Sequence, residues 1–116
     1  MNKLPLEVTQ IAGNEHCILE EDGTRVADAV IVALHQEQGV ALSFRGVRML
    51  TTPFIRALFL PLLQQFSPEQ LNQQFQITDA AAGDLARIRF VTNDLKLRLS
   101  DPEAYDRARE RALEVA

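Results

Sequence analysis

The sequence predicts an α/β fold, with a small four-stranded mixed sheet and helices packed against it. Short apolar runs rich in strand-forming residues alternate with longer segments in which apolar residues recur every three or four positions, which is typical of α/β proteins. The chain has 116 residues, of which 47% are hydrophobic. That length is enough for one domain with a real core and too short for two, so we expect residues 1–116 to form a single domain.

Near the N terminus, the pattern predicts two short strands joined by a turn. Leu6, Val8 and Ile11 are apolar positions separated by polar ones, which favours the first strand. The second strand is predicted over residues 17–19, because this apolar run follows a turn signal at Gly13.

The next part of the chain predicts a helix followed by the central strand. Apolar residues recur at helical spacing over residues 24–34, and Gly39 follows as a stop signal. The nearly continuous apolar run over residues 40–44 is typical of a strand buried on both faces. We therefore expect this strand at the centre of the sheet.

A second helix is predicted from Phe54 to Phe66, where a broad apolar face includes Pro61. Proline lacks a backbone N–H, so we expect a kink at this position. Residues 67–71 combine a capping serine with a proline at the first helical position, which predicts a short third helix. A further strand is predicted over residues 75–78.

Two interpretations compete for the segment after residue 79. Apolar residues over 85–99 keep a period of about 3.5, which predicts a helix, whereas strict alternation over residues 95–99 fits a hairpin spanning 87–99. The longer periodicity favours the helix. A terminal helix is predicted over residues 102–115, because a cap-and-proline signal precedes a thin apolar stripe.

Phe90 and Leu97 form a second apolar stripe on the helix predicted after residue 79. If the stripe is exposed, it marks the surface of a homodimer or a partner, because monomers rarely leave contiguous apolar area uncovered. The alternative, which we favour, is that the terminal helix covers the stripe with Tyr105, Ala108 and Ala112.

Composition excludes several classes of function. The formal net charge of -4 and the pI near 5.1 provide no basic surface for a nucleic-acid backbone. No apolar run approaches the roughly 20 residues that a membrane-spanning helix needs. Cys17 is the only cysteine, so no internal disulfide can form and a reducing compartment fits best. We therefore expect a soluble cytoplasmic protein that binds neither nucleic acid nor membrane.

Residues that carry catalysis or bind metals do not occur at the required spacing. His16 and His35 have no neighbouring ligand at metal-binding spacing, and no nucleophile can be placed beside a base. Cys17 is more typical of a buried strand residue than of a reactive thiol. We therefore expect no enzyme activity, no metal and no cofactor.

The most informative segment is Thr51-Thr52-Pro53, which lies between the strand at 40–44 and the second helix. Two hydroxyls are thereby placed where the first amides of a helix point outward unpaired. Such hydroxyls either cap the helix or are open to modification. The simpler interpretation, which we favour, is that Thr52 is the N-cap, a role that stabilises a helix by about 1 kcal/mol.

Arg45, Arg48 and Arg56 cluster around the same turn in the sequence. Together they would form a cationic rim that binds an acidic protein partner or a phosphate. Isolated surface arginines are common, so we favour the alternative of a solvated surface with nothing bound.

A resemblance to a known family rests on residues 39–54, which read GVALSFRGVRMLTTPF. The segment resembles the part of STAS domains, the fold of anti-sigma-factor antagonists, in which a strand of pattern V-x-L-D-F-x-x-V-x-x-I runs into a helix start bearing Ser or Thr. The preceding helix and residues 78–116 are similar to the STAS-like family DUF4325, so the likeness covers roughly residues 23–112. Ser43 stands where an aspartate is usual in that pattern.

The resemblance implies a regulatory role. In anti-sigma-factor antagonists, the residue that a partner kinase phosphorylates lies at the start of the helix after the central strand. Thr52 falls at that position, and Thr51 stands where those antagonists carry an aspartate. The implied function is a non-catalytic protein-interaction domain, the antagonist component of a partner switch with a histidine-kinase-type ATPase. A phosphate adds about -1.5 to -2 charges, so the switch would act through electrostatics.

Two alternatives stay open. A structural or assembly protein that dimerises through its C-terminal helices would leave the Thr51-Thr52 turn inert. A small nucleotide-binding domain would instead hold a nucleoside phosphate at the start of the second helix.

Overall fold

The computed structural model describes residues 3–101 and residue 103, and this part of the chain forms five helices and five strands. The predicted terminal helix over residues 102–115 lies outside the described residues. In chain order the elements are β1 (Leu4–Glu7), α1 (Val8–Ala12), β2 (His16–Cys17), α2 (Glu20–His35), β3 (Val40–Ser43), β4 (Met49–Leu50), α3 (Thr52–Gln65), α4 (Pro68–Gln74), β5 (Phe75–Thr78) and α5 (Ala82–Ser100).

The main sheet has three strands in the order β1-β3-β5, and β3 is central, as predicted. Both pairings are parallel, and Leu42 of β3 is in register with Leu6 of β1 and with Ile77 of β5. Strands β2 and β4 form a separate parallel ladder, in which Cys17 lies opposite Leu50. The predicted four-stranded mixed sheet is therefore not confirmed. It is replaced by a three-stranded parallel sheet and a two-stranded ladder.

The N-terminal prediction is wrong in two respects. The second strand, predicted over residues 17–19, covers His16–Cys17, and a helix lies between it and the first strand. Val8 and Ile11 lie in helix α1, which follows β1 directly, and Val8 is fully buried. Apolar residues at 8, 11 and 12 fit one turn of helix as well as they fit a loosely alternating strand, so the pattern alone was ambiguous. The helix ends at Gly13, whose φ of 74° is left-handed and whose N–H bonds to the carbonyl of Thr9.

The two faces of the central strand differ in burial. Val40 and Leu42 are fully buried in the core that the helices form, whereas Ala41 and Ser43 are only half-buried. Because side chains alternate along a strand, the opposite face of the sheet is partly open. The prediction that this strand is buried on both faces is therefore wrong.

The four helical predictions that fall within the described residues are confirmed. Helix α2 begins a few residues earlier than predicted and carries three acidic residues in its first turn, where the helix dipole favours negative charge. Helix α3 continues through Pro61, and α4 is capped by Ser67, whose hydroxyl accepts a 3.1 Å hydrogen bond from the N–H of Gln70. Helix α5 covers the whole segment for which a hairpin was the alternative.

The apolar stripe of Phe90 and Leu97 is exposed, with relative exposures of 77% and 53%. The side chains predicted to cover it belong to the terminal segment outside the described residues. Separately, no helix within residues 3–101 combines the length and apolar character needed to cross a lipid bilayer.

Helices α2 and α3 approach so closely that only glycine fits at one point of contact. A Cβ atom on Gly23 would lie 2.5 Å from the backbone oxygen of Phe54 and 3.0 Å from the Cβ of Ala57. Glycine weakens a helix interior, by roughly 0.5–1 kcal/mol relative to alanine, so its presence here reflects the contact with α3. The core side chains next to this contact, Val26 and Phe54, are fully buried.

Substitution Gly23→Ala should therefore destabilise the fold. Backbone oxygen cannot move aside as a flexible side chain can, so we expect a loss of about 1–3 kcal/mol in the free energy of unfolding. Gly83→Ala in the first turn of α5 is the matched control, because a Cβ there would meet nothing within 4 Å. Urea denaturation of both variants measures the difference. Equal stability of the two variants would contradict the close-contact argument.

Candidate functional site

The candidate site is the start of helix α3, and Thr51 is its N-cap. The Thr51 backbone is extended, with φ -103° and ψ 158°, and its hydroxyl accepts a 3.4 Å hydrogen bond from the N–H of Phe54. The prediction that Thr52 is the N-cap is therefore wrong. The cap lies one residue earlier than predicted, and the helix begins at Thr52, two residues before the predicted start at Phe54. Pro53 is therefore the second residue of the helix, and Phe54 supplies the unpaired amide that the cap satisfies.

Thr51 also anchors the start of α3 to the segment before α2. Its hydroxyl donates a 2.9 Å hydrogen bond to the carbonyl of Ile18, and its N–H donates a 3.1 Å bond to the carbonyl of Cys17. The Thr51 hydroxyl is thus engaged both as donor and as acceptor. This arrangement fixes the cap but leaves the Thr51 oxygen poorly placed for modification.

Thr52 is the first residue of α3 and has a different environment. It is half-buried, and its hydroxyl forms no hydrogen bond with any residue in the described part of the chain. The N terminus of a helix carries a partial positive charge, so an anionic group at this position is stabilised. The two adjacent threonines therefore have different roles. Thr51 caps the helix, whereas Thr52 presents a hydroxyl without a hydrogen-bond partner among the described residues.

Helix α5 contributes two charged residues that lie next to this site. The guanidinium of Arg87 donates a hydrogen bond to the carbonyl of Leu50, the residue before the cap. Asp84 lies close enough to Cys17 to affect its thiol, whose pKa is raised to about 11 by burial and, to a lesser extent, by that carboxylate. Neither residue was predicted from the sequence, although both flank the apolar positions Leu85 and Ile88 and so lie at the edge of the buried helix face.

The three arginines of the predicted rim occupy separate places. The guanidinium of Arg45 lies 3.7 Å from a carboxylate oxygen of Asp79, and Nε of Arg48 lies 3.0 Å from Oε2 of Glu15. Arg56 is exposed on α3 itself, about one helical turn after Thr52. Among the described contacts, none joins these three side chains into a single cluster, and Arg56 is the one on the same helix as Thr52.

A second polar cluster lies where the parallel strands of the main sheet end. Ser43 donates a 2.7 Å hydrogen bond to Oδ2 of Asp79, and the N–H of Arg45 donates a 3.2 Å bond to the Ser43 hydroxyl. Asp79 has a left-handed backbone with φ 59°, which aspartate tolerates better than most residues. The cluster borders an open crevice of about 420 Å³ that also includes Glu7. Asp79 was missed because nothing in the sequence marks a turn residue as a partner of Ser43.

Hydrogen bonds and charge lower the pKa of Asp79 below its ordinary value of 3.8. The Ser43 hydroxyl is the largest cause, and the Arg45 guanidinium adds to it. Both groups favour the ionised carboxylate in the folded chain.

The two histidines and the cysteine each lie within a secondary-structure element. His35 is the last residue of α2, and its ring centroid is 5.0 Å from that of Phe66. His16 lies on the short β2 strand, next to Asn14. Within the described residues, no group of three or more His, Cys, Asp or Glu side chains is arranged to hold a metal ion. Cys17 is fully buried, and with a pKa near 11 its thiol stays protonated at neutral pH.

A comparison with protein-family models matches residues 22–84 to the STAS-like domain of unknown function, DUF4325. The match covers more than half of the chain and includes most of α2, the central strand and the whole of α3. The chain therefore belongs to this STAS-like family, and the resemblance stated for roughly residues 23–112 is confirmed as far as residue 84. Comparisons with curated proteins and with solved structures gave no significant match.

Replacement of the capping threonine should cost more stability than replacement of its neighbour. Thr51→Ala removes the bonds to Phe54 and Ile18, so we expect a loss of about 1–2 kcal/mol in the free energy of unfolding. Thr52→Ala is the matched control, and we expect a change within about 0.5 kcal/mol. Urea denaturation measures both values. A larger loss for Thr52→Ala would reverse the assignment of the cap.

Asp79→Asn should reduce stability in a way that depends on pH. The pKa of Asp79 is lower in the folded chain, so its ionisation stabilises the fold above pH 3.8, and this contribution is lost as the pH falls through the folded-state pKa. Asparagine also tolerates a left-handed backbone, so the turn is kept. We expect the variant to melt below the wild type at neutral pH.

That difference in melting temperature should narrow as the pH is lowered below about 4, because the wild-type carboxyl then loses its charge as well. Asp28→Asn, on the exposed face of α2, is the matched control. A difference that stays constant down to pH 3 would show that it does not arise from ionisation of Asp79.

Proposed function

We propose that the chain is a non-catalytic regulatory domain whose binding to a protein partner is controlled by phosphorylation of Thr52. In this proposal it is the antagonist component of a partner switch, and a histidine-kinase-type ATPase is both the kinase and the partner. The observation that carries the proposal is the division of tasks at the start of α3. Thr51 caps the helix, so Thr52 has no structural role that its hydroxyl must fulfil.

Family membership supports this proposal because the matched region includes the start of α3. In the anti-sigma-factor antagonists that the chain resembles, the modified residue lies at the start of the helix after the central strand. Here that position is occupied by a half-buried threonine with an unengaged hydroxyl. A kinase needs access to the hydroxyl oxygen, and Thr51 offers less access because its oxygen is bonded to Ile18 and Phe54.

An exposed apolar patch next to the site supports a protein partner. The patch consists of Ile18, Leu19 and Met49, with relative exposures of 41%, 53% and 50%. Ile18 is bonded to the cap through its carbonyl, and Met49 lies on β4, just before the cap. Exposed apolar residues beside polar ones are typical of protein-binding surfaces.

Phosphorylation of Thr52 would change this surface electrostatically. A phosphate adds about -1.5 to -2 charges and is favoured by the helix N terminus, with Arg56 about one turn further along the helix. A group of that charge keeps its own hydration, so it opposes the burial of the apolar patch against a partner. The chain already carries a net charge of -4, so an acidic partner would be repelled further.

The modification can be tested directly by incubating the purified chain with radiolabelled ATP and an extract of its own cells. We expect label on the wild type, no label on Thr52→Ala, and retained label on Thr51→Ala and Thr52→Ser. Thr51→Ala controls for local disturbance of the helix start, because it alters the cap without removing the proposed acceptor. Label that persists in Thr52→Ala, or an unlabelled wild type, would contradict the proposed site.

The effect on the partner is tested by affinity purification of the tagged chain from the same cells. We expect an ATPase to co-purify with the wild type and with Thr52→Gln, and to be lost from Thr52→Glu. The glutamine variant controls for size without charge. Self-association alone, with both threonines unmodified, would favour instead an assembly protein that pairs through the exposed stripe of Phe90 and Leu97.

A further inference from the structure

A groove of about 480 Å³ runs between α3, α4, β5 and α5. Its volume falls in the range of small-molecule sites, which are mostly apolar with a few placed polar groups. The rings of Phe59 and Phe75 meet edge to face in its wall, with centroids 6.1 Å apart. The apolar side chains that form most of its lining include Phe59, Leu62, Leu63, Leu71, Phe75 and Ile77.

Within residues 3–101 the groove stays open because helix α4, the element beside it, is too short to fill it. Helix α4 has seven residues, and none of them is buried. The apolar side chains of Leu63, Leu71 and Ile77 consequently remain half-exposed, although they pack against the buried core. A half-exposed apolar wall is stabilised by any apolar group that displaces water from it.

The charged groups along the groove have a single sign. Arg89 and Lys96 lie on one side of α5, about two turns apart, and Thr92 lies between them on the same side. They are the only ionisable side chains among the described lining residues, in a chain whose net charge is -4. Neither forms an ion pair in the described part of the chain.

We propose that this groove binds a single-chain carboxylate of the fatty-acid type. The acyl chain occupies the apolar wall formed by α3, α4 and β5, and the carboxylate pairs with Arg89 or Lys96. The two cations repel the ammonium group of an alkylamine. They also favour a carboxylate over a neutral ligand with an acyl chain of equal length. The proposal involves no residue of the Thr51–Thr52 site, so it stands or fails independently of the proposed switch.

The test compares three ligands of equal chain length, namely dodecanoate, dodecan-1-ol and dodecylamine, each below the concentration at which it self-associates. Isothermal titration of the full chain should show that dodecanoate binds at least tenfold more tightly than the alcohol, and that the amine does not bind. Shorter carboxylates should bind about fourfold more weakly for each methylene removed, because each buried methylene adds a similar increment. Equal binding of all three ligands, or no binding of dodecanoate, would overturn the proposal.

Variants at the two cations provide the second test. The double variant R89A/K96A should weaken dodecanoate binding at least tenfold, whereas R48A, which removes a cation paired with Glu15 away from the groove, should not change it. The reversed variant R89E/K96E should bind dodecylamine in preference to dodecanoate. Both cations are exposed, so these variants should fold, which circular dichroism confirms.

Unchanged dodecanoate binding in the double variant would overturn the proposal. Sedimentation of the wild type tests whether a second copy of the chain occupies this surface instead. Self-association would replace the fatty-acid proposal if the wild type is a dimer, if R89E/K96E dissociates that dimer, and if dodecanoate does not bind to it.

Discussion

The close approach of α2 and α3 at Gly23 is the constraint on which the start of α3 depends. The backbone oxygen of Phe54 lies where a side chain on α2 would have to be, so the first turn of α3 is held directly against α2. The ring of Phe54 is fully buried, and its N–H donates the capping hydrogen bond to the hydroxyl of Thr51. One residue therefore joins the helix contact, the core and the candidate site. The position of the Thr52 hydroxyl follows from the packing of the core.

The rest of the site is assembled on the short β2–β4 ladder. Thr51 donates hydrogen bonds to the carbonyls of Cys17, the last residue of β2, and of Ile18, and Arg87 on α5 donates one to the carbonyl at the end of β4. A ladder of two residues per strand has little stability of its own, so these side-chain bonds and the burial of Cys17 and Leu50 hold it in place. Helices α3 and α5 thus both contact one small ladder, and the unengaged Thr52 lies just after the end of β4.

Sequence patterns predicted the elements that have a long periodicity or a clear capping signal. They failed for elements of a few residues and for contacts between segments that are distant in the sequence. Periodicity over many residues identified α2, α3 and α5, and capping signals identified α4. Strand β4 has two residues, too few to show alternation, and α1 fits two periodicities equally. The cap was misplaced by one residue because both threonines satisfy the same rule. Arg87 and Asp79 act through contacts between distant segments, which no local pattern encodes.

The buried thiol of Cys17 has a practical consequence. It is the single cysteine of the chain, it is fully buried, and its high pKa keeps it in the unreactive protonated form. A thiol reagent therefore reaches it only when the ladder beneath α3 opens, so the rate of alkylation in the native state measures how often this part of the molecule unfolds locally. The chain carries an internal reporter next to its candidate site, and no introduced label is needed to follow how a ligand or a phosphate changes that opening.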